Sequence, residues 1–140
     1  MSEILEFTKS MPAQERSDAF ALYPYGLWPQ PTGSRFICPD AVREDSDWDL
    51  FCMATEQQIE LLIKDGWESG RTVSSGPPDG DSLRKGALNL VLFLPAFEHL
   101  YRAFETATNV CRLHRGPKDK PTRVDLFKAF TKNAQPAVLN

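Results

Sequence analysis

The chain reads as a single α+β domain: helices packed on a small mixed β-sheet, followed by two C-terminal helices. Three observations predict this. Residues 87–94, ALNLVLFL, form a short and nearly continuous apolar run, as expected of a strand buried on both faces. Thr55 with Gln58 three residues later is a capping-box pattern, and Ile59, Leu62, Ile63 and Trp67 follow it at helical spacing. Finally, the elements run helix, strands, helix, strands and then two helices, an order that places helices against one sheet.

Taken in order, residues 1–12 are mixed in character and are expected to be loosely held. Residues 13–22 suit a short helix, and YPYGLWPQP at 23–31 is rich enough in aromatics and proline to be a turn or irregular approach. A first strand is expected near residues 32–38, PDAVRED is a polar loop, and a second strand covers residues 46–53, SDWDLFCM. Gly66 is placed to end the helix that Thr55 opens. ESGRTVSS is a candidate third strand, and SGPPDGDS is a loop by composition. After the apolar strand, Pro95 starts a long helix with Phe97, Leu100, Tyr101, Phe104 and Val110 on one side. RGPKDKP is a charged turn, and Thr122 is expected to cap a last helix with Val124, Phe127 and Phe130 inward. The core of the domain falls at residues 13–94 and its helical C-terminal part at 95–132.

Bulk properties narrow the function. With 140 residues the chain is long enough to bury a real core, and 41% apolar content is typical of a globular protein. A net charge of -3 supplies no global basic field to draw it to nucleic acid or membrane. Cys38, Cys52 and Cys111 are odd in number and widely spaced, which argues against a disulfide framework and fits a reducing, cytoplasmic setting. The N-terminus does not read as a targeting peptide, and no apolar run approaches the ~18 residues of a membrane span.

The unusual feature is SDWDL, residues 46–50. Asp is disfavoured in strands, so two of them one residue apart need an offsetting interaction. Alternation places Asp47 and Asp49 on one strand face, their Cα atoms ~6 to 7 Å apart, with Trp48, Leu50 and Cys52 turned into the core. Unpaired, the two carboxylates repel and raise each other's pKa. Magnesium relieves that repulsion, and it is commonly held by one or two carboxylates plus substrate phosphates. The plainer alternative is an ion pair with Arg35, Arg43 or Arg71, or a strand-end cap. Upstream lies Gly33-Ser34, whose backbone and hydroxyl suit phosphate oxygens. Arg35 and Arg43, close to the pair in sequence, are further phosphate candidates.

Gly33-Ser34, a short gap and then Ser46-Asp47-Trp48-Asp49-Leu50 together resemble the signature of the nucleotidyltransferase superfamily, with its DNA polymerase beta-like fold. The resemblance covers residues 25–94 and includes, in order, a helix after the motif strand and then a strand pair. It implies that Gly33 and Ser34 contact a nucleoside triphosphate and that Asp47 and Asp49 hold Mg2+ (or Mn2+) for NMP transfer to a hydroxyl of RNA or protein. Many members carry a third carboxylate on a later strand. Here that slot, within Leu88-Asn89-Leu90, is Asn89, which can ligate through its carbonyl but cannot act as a carboxylate base. Two expectations follow: a minimal enzyme working with the Asp pair, or a catalytically inactive interaction or inhibitor protein of phage or mobile-element type. Asn89, the small size and the lack of an acceptor domain motivate the second.

Other signals are weaker. Cys111-x-x-His114 has no second ligand pair, so zinc is not expected. His99 reads as a packing or capping residue, and Tyr23, Tyr25 and Trp28 as core or interface. The basic residues Arg112, Arg115, Lys118, Lys120 and Arg123 read first as a solvated charged turn and second as a phosphate contact. Asp79 and Asp81 are alternative loop acids.

Overall fold

In a computed structural model of the chain, which describes residues 2–69, 80–113 and 120–134, helices cover both faces of a five-stranded mixed sheet. Helices α1 (Ser2–Lys9) and α2 (Ala13–Phe20) precede strand β1 (Gln30–Thr32) and the single-turn helix α3 (Ser34–Ile37). Strand β2 (Trp48–Met53), helix α4 (Glu56–Lys64) and the short strand β3 (Glu68–Ser69) come next. Strands β4 (Gly80–Lys85) and β5 (Leu88–Phe93) then form a hairpin, and helices α5 (Glu98–Leu113) and α6 (Lys120–Lys132) complete the fold. The strand order is β1-β2-β5-β4-β3, with β2 and β5 parallel at the centre and the other neighbours antiparallel. The α+β class with two C-terminal helices is therefore as the sequence predicts.

Apolar side chains alternate along β2 and feed two cores. Trp48, Leu50 and Cys52 join Ile4, Phe7, Leu22, Ile59 and Leu62 on the side covered by α1, α2 and α4. Phe51 and, from β5, Val91 and Phe93 join Leu100, Phe104 and Phe127 under α5 and α6. The second core is aromatic: Phe104 lies 5.0 Å from Phe51, 5.4 Å from Phe93 and 4.9 Å from Phe127, ring centre to ring centre. Every residue of β5 is buried, which accounts for an apolar run that only Asn89 interrupts. Pro31 sits in β1, the edge strand, where a missing N–H costs no ladder bond on the open side. The three cysteines are free thiols, and burial pushes Cys52 up to about 12.

Several sequence expectations need correction. Within the segment 1–12 expected to be loosely held, the described residues 2–12 are anchored: α1 buries Ile4 and Phe7, and Met11 is buried behind it. The strand expected at 32–38 ends at Thr32, because Gly33 takes a left-handed φ of 77° and turns the chain into α3. Phe36 and Ile37 belong to different cores, so a single helical turn imitated strand alternation. Part of the expected loop SGPPDGDS is strand β4, whose polar residues concealed its pairing with β5. Thr122 lies inside α6 rather than at its cap, and Ile63 faces solvent. The remainder of the third-strand segment and most of RGPKDKP lie outside the described residues.

The capping box is present in both halves: Gln58 N–H donates to Thr55 Oγ1 at 3.1 Å, and Thr55 N–H donates to Gln58 Oε1 at 2.8 Å. Gly66, at φ 106°, follows the helix C-cap as expected. Replacing Thr55 by Ala removes the cap, and urea unfolding should register a loss of about 1 kcal/mol.

Candidate functional site

The parallel pairing of β2 with β5 sets Asp49 directly opposite Asn89. On the other side of β2, Thr32 at the end of β1 also pairs with Asp49, and Gly33 follows at once. A Cβ placed on Gly33 would lie 2.7 Å from Asp49 Cγ and 2.8 Å from its Cβ. Glycine is thus required twice over, by the positive φ and by the carboxylate pressed against its Cα. The Thr32 hydroxyl is hydrogen-bonded to that of Thr108 on α5 at 2.9 Å, which ties the end of the edge strand to the helical layer.

Asn89 donates from Nδ2 to Asp49 Oδ1 at 3.0 Å, while Ser82 Oγ donates to Asn89 Oδ1 at 3.2 Å. This orientation is forced, since an amide carbonyl facing a carboxylate would be repelled, whereas a hydroxyl can serve either end of the amide. Asn89 is 9% exposed. With its carbonyl oxygen turned to Ser82, it positions Asp49 and does not offer that oxygen to a metal.

Asp47 lies one residue before β2 and forms an ion pair with Arg84 of β4. Arg84 is the antiparallel partner of Asn89, so it shares the face of Asn89 and Asp49. The next residue, Lys85, alternates to the opposite face, where it lies 3.7 Å from Asp18 and 5.9 Å from the Trp67 ring centre. The Arg84 side chain is 46% exposed and that of Asp47 38%. A pair this open contributes about 1 kcal/mol or less.

The arginines suggested by sequence proximity are otherwise employed. Arg35 donates from Nε to the Ser46 carbonyl at 2.9 Å and from Nη2 to the Glu44 carbonyl at 2.7 Å, and its guanidinium lies 4.3 Å from the Trp48 ring centre. It clamps the loop that delivers Asp47 to the sheet. Arg43, at 83% side-chain exposure, pairs within that loop with Asp45 at 3.6 Å. Among the described residues the cation beside Asp47 is therefore neither Arg35 nor Arg43 but Arg84, which sequence reasoning missed. Ser34, half-buried, is the first residue of α3 and follows the Gly33–Asp49 contact directly.

The structure thus brings Gly33 and Asn89 against Asp49 from opposite sides and places the Asp47–Arg84 pair beside Asn89, with Ser34 next to Gly33 in the chain. Comparison with protein-family models, with curated proteins and with solved structures finds no match. The site is therefore read on its own chemistry.

Two carboxylates make a small donor set. Among the described residues no group of three or more His, Cys, Asp or Glu side chains is arranged to hold a metal. Asp47 and Asp49 alone suit a hard cation that retains waters and takes its other oxygens from phosphate. A separate depression of about 520 Å3 at the far ends of β2 and β5, lined by Thr55, Glu56, Gln57, Glu60 and residues 94–96, shares no residue with this site.

From the basic cluster, Arg112 pairs with Glu3 and stacks 4.2 Å from the Phe36 ring centre, and Arg123 is buried with Nη1 3.4 Å from Cys38 Sγ. Both are packing residues. Arg71, Asp79, Arg115, Lys118, His114 and the side chains of Asp81 and Lys120 lie outside the described residues. Trp28 is 64% exposed and packs edge-on against Tyr23, so it belongs to the surface rather than the core.

Two substitutions test this geometry. Gly33→Ala should destabilise by at least about 2 kcal/mol in denaturant melts, combining left-handed strain with displacement of Asp49. A loss below that of Thr55→Ala would show that Asp49 does not rest on Gly33. Asn89→Asp sets a second carboxylate about 3 Å from Asp49, which raises the pKa of the pair. A raised folded-state pKa gives stability that is present at low pH and lost as pH rises through that pKa. The stability gap between wild type and Asn89→Asp should therefore widen from pH 4 to pH 7, and millimolar Mn2+ should narrow it at pH 7.

Proposed function

We propose that the chain is a nucleotidyltransferase-like protein that binds a nucleoside triphosphate together with Mg2+ (or Mn2+). The observation that carries this reading is the junction of Gly33, Asp49 and Asn89: three motif positions far apart in sequence meet at one end of the central strand pair. Asp47 and Asp49 would hold the cation, and Gly33-Ser34 would lie along the phosphates. A cation held there would supply positive charge to offset that of the phosphates. No helix among the described residues is long and apolar enough to cross a membrane, and the three free thiols suit a cytoplasmic setting.

Transfer of NMP to a hydroxyl of RNA or protein would form a bond from that hydroxyl oxygen to the α-phosphorus and release pyrophosphate, with the hydroxyl proton passing to solvent; it would proceed on positioning and electrostatics, without a carboxylate base at position 89. Loss of general-base assistance costs about 10² to 10⁴-fold in rate. A second reading is favoured by one specific observation. The Asn89 amide is committed to Asp49 on one side and to Ser82 on the other. A site so satisfied suits a catalytically inactive interaction or inhibitor protein of phage or mobile-element type.

Calorimetry with ATP, GTP, CTP and UTP in the presence of Mg2+ decides whether the site binds nucleotide. At least one should bind, and Asp47→Ala combined with Asp49→Ala should abolish that binding. Absence of binding, or binding untouched by the double substitution, would sink the reading. Incubation with radiolabelled nucleotides, RNA and protein acceptors separates enzyme from silent module, with aspartate-dependent labelling expected only of the former.

A further inference from the structure

We propose that Arg84 is an exchangeable cation, which competes with a divalent metal for Asp47 and becomes a phosphate ligand once displaced. The inference rests on the nucleotide-binding reading and adds to it a residue outside the sequence motif. Four observations carry it. The register places Arg84 beside Asn89, on the face that holds Asp49. Its guanidinium contacts the carboxylate of Asp47, one of the two proposed metal ligands. The contact runs through Nη2 to a single oxygen, so it is not the two-pronged arrangement that an arginine and a carboxylate can adopt. Both side chains are more than a third exposed, so water can replace either partner as the pair opens.

The chemistry follows from charge. A guanidinium stays protonated at any working pH, so a divalent cation reaching Asp47 meets a fixed positive charge already seated there. The two cannot share one carboxylate without repulsion. A polyphosphate arriving with the metal removes the conflict, because it supplies oxygens for the metal and tetrahedral acceptors for the guanidinium fork. Arg84 needs only side-chain rotation for this exchange, since its backbone is held in the β4–β5 hairpin. Arg35 is a poorer candidate for the same task, because its Nε and Nη2 already hold the loop carbonyls of Ser46 and Glu44.

A purely structural role for Arg84, clipping β4 to the start of β2, makes a different prediction, and opposite signs tell the two apart. Binding of Mn2+ alone and of inorganic tripolyphosphate with Mg2+ is measured on wild type, Arg84→Gln and Arg84→Lys, with thermal unfolding as the check on folding. Arg84→Gln should tighten Mn2+ binding about 3- to 10-fold, because the competitor is gone, and weaken Mg2+–tripolyphosphate about tenfold. Arg84→Lys keeps the charge but loses the fork, and should fall between wild type and Arg84→Gln in both measurements. Affinities that move together, or do not move, overturn the exchange while leaving nucleotide binding intact. A wild-type protein that binds neither tripolyphosphate nor any nucleotide with Mg2+ overturns the nucleotide reading itself, and the exchange with it.

Discussion

The parallel pairing of β2 with β5 is the constraint on which the rest of the molecule depends. Strand β5 is buried along its whole length and β2 at all but Asp49 and Met53, and six residue pairs hold their register from Trp48–Leu88 to Met53–Phe93. A slip of one residue would exchange the faces, sending Phe51 towards α1 and α2 and Leu50 into the aromatic layer under α5. Two differently shaped cores therefore defend one register. The position of Asp49 opposite Asn89 is a consequence of that packing, not of any attraction between the two side chains. Their single hydrogen bond, worth about 1 kcal/mol net, could not enforce the register against cores of this size.

The same constraint explains why polar side chains occur only where the strands begin. Beyond Asp49 the α5–α6 face of β2 is closed by Phe51, and beyond Asn89 that of β5 is closed by Val91 and Phe93. Only the first residues of the parallel strands escape this lid. Asn89 is nevertheless 9% exposed, so its amide must be satisfied internally, and Ser82 and Asp49 do so. No buried side-chain nitrogen or oxygen among the described residues lacks a partner. An acid in place of Asn89 would have to share this enclosed position with Asp49 at hydrogen-bond distance. The neutral amide thus keeps the cluster intact without a cation.

What could be read from the sequence follows the same physics. The apolar strand at β5, the capping box at Thr55 and the alternation of Trp48, Leu50 and Cys52 were legible because burial leaves a periodic trace. Gly33 was legible as a close-approach glycine, although the group against it is a carboxylate within this chain. Three features left no such trace. Helix α3 is a single turn, too short for helical periodicity to show. Strand β4 reads Gly-Asp-Ser-Leu-Arg-Lys, with Leu83 its one aliphatic residue, and borrows its regularity from β5. Helix α1 lay in a stretch whose mixed composition concealed Ile4 and Phe7 as core residues. Missing β4 also meant missing Arg84, since only the hairpin register brings it to Asp47, 37 residues away in sequence. Gly86, at φ 60° in the two-residue turn between Lys85 and Leu88, was the available signal for that hairpin.

Charge balance then decides how such a site can be filled. Asp47, Asp49, Arg84 and Asn89 together carry one net negative charge. A divalent cation alone would leave this group with one net positive charge and a guanidinium beside it, an arrangement that discourages metal binding without an anion. A polyphosphate alone would meet two carboxylates. Arriving together, metal and polyphosphate meet complementary charge, with the carboxylates facing the cation and Arg84 facing the phosphates. Such an order of preference would follow from four side chains whose proximity is imposed by the hydrophobic register. On the nucleotide-binding reading it would favour a metal–polyphosphate complex over either component, and this would distinguish the site from an ordinary surface ion pair.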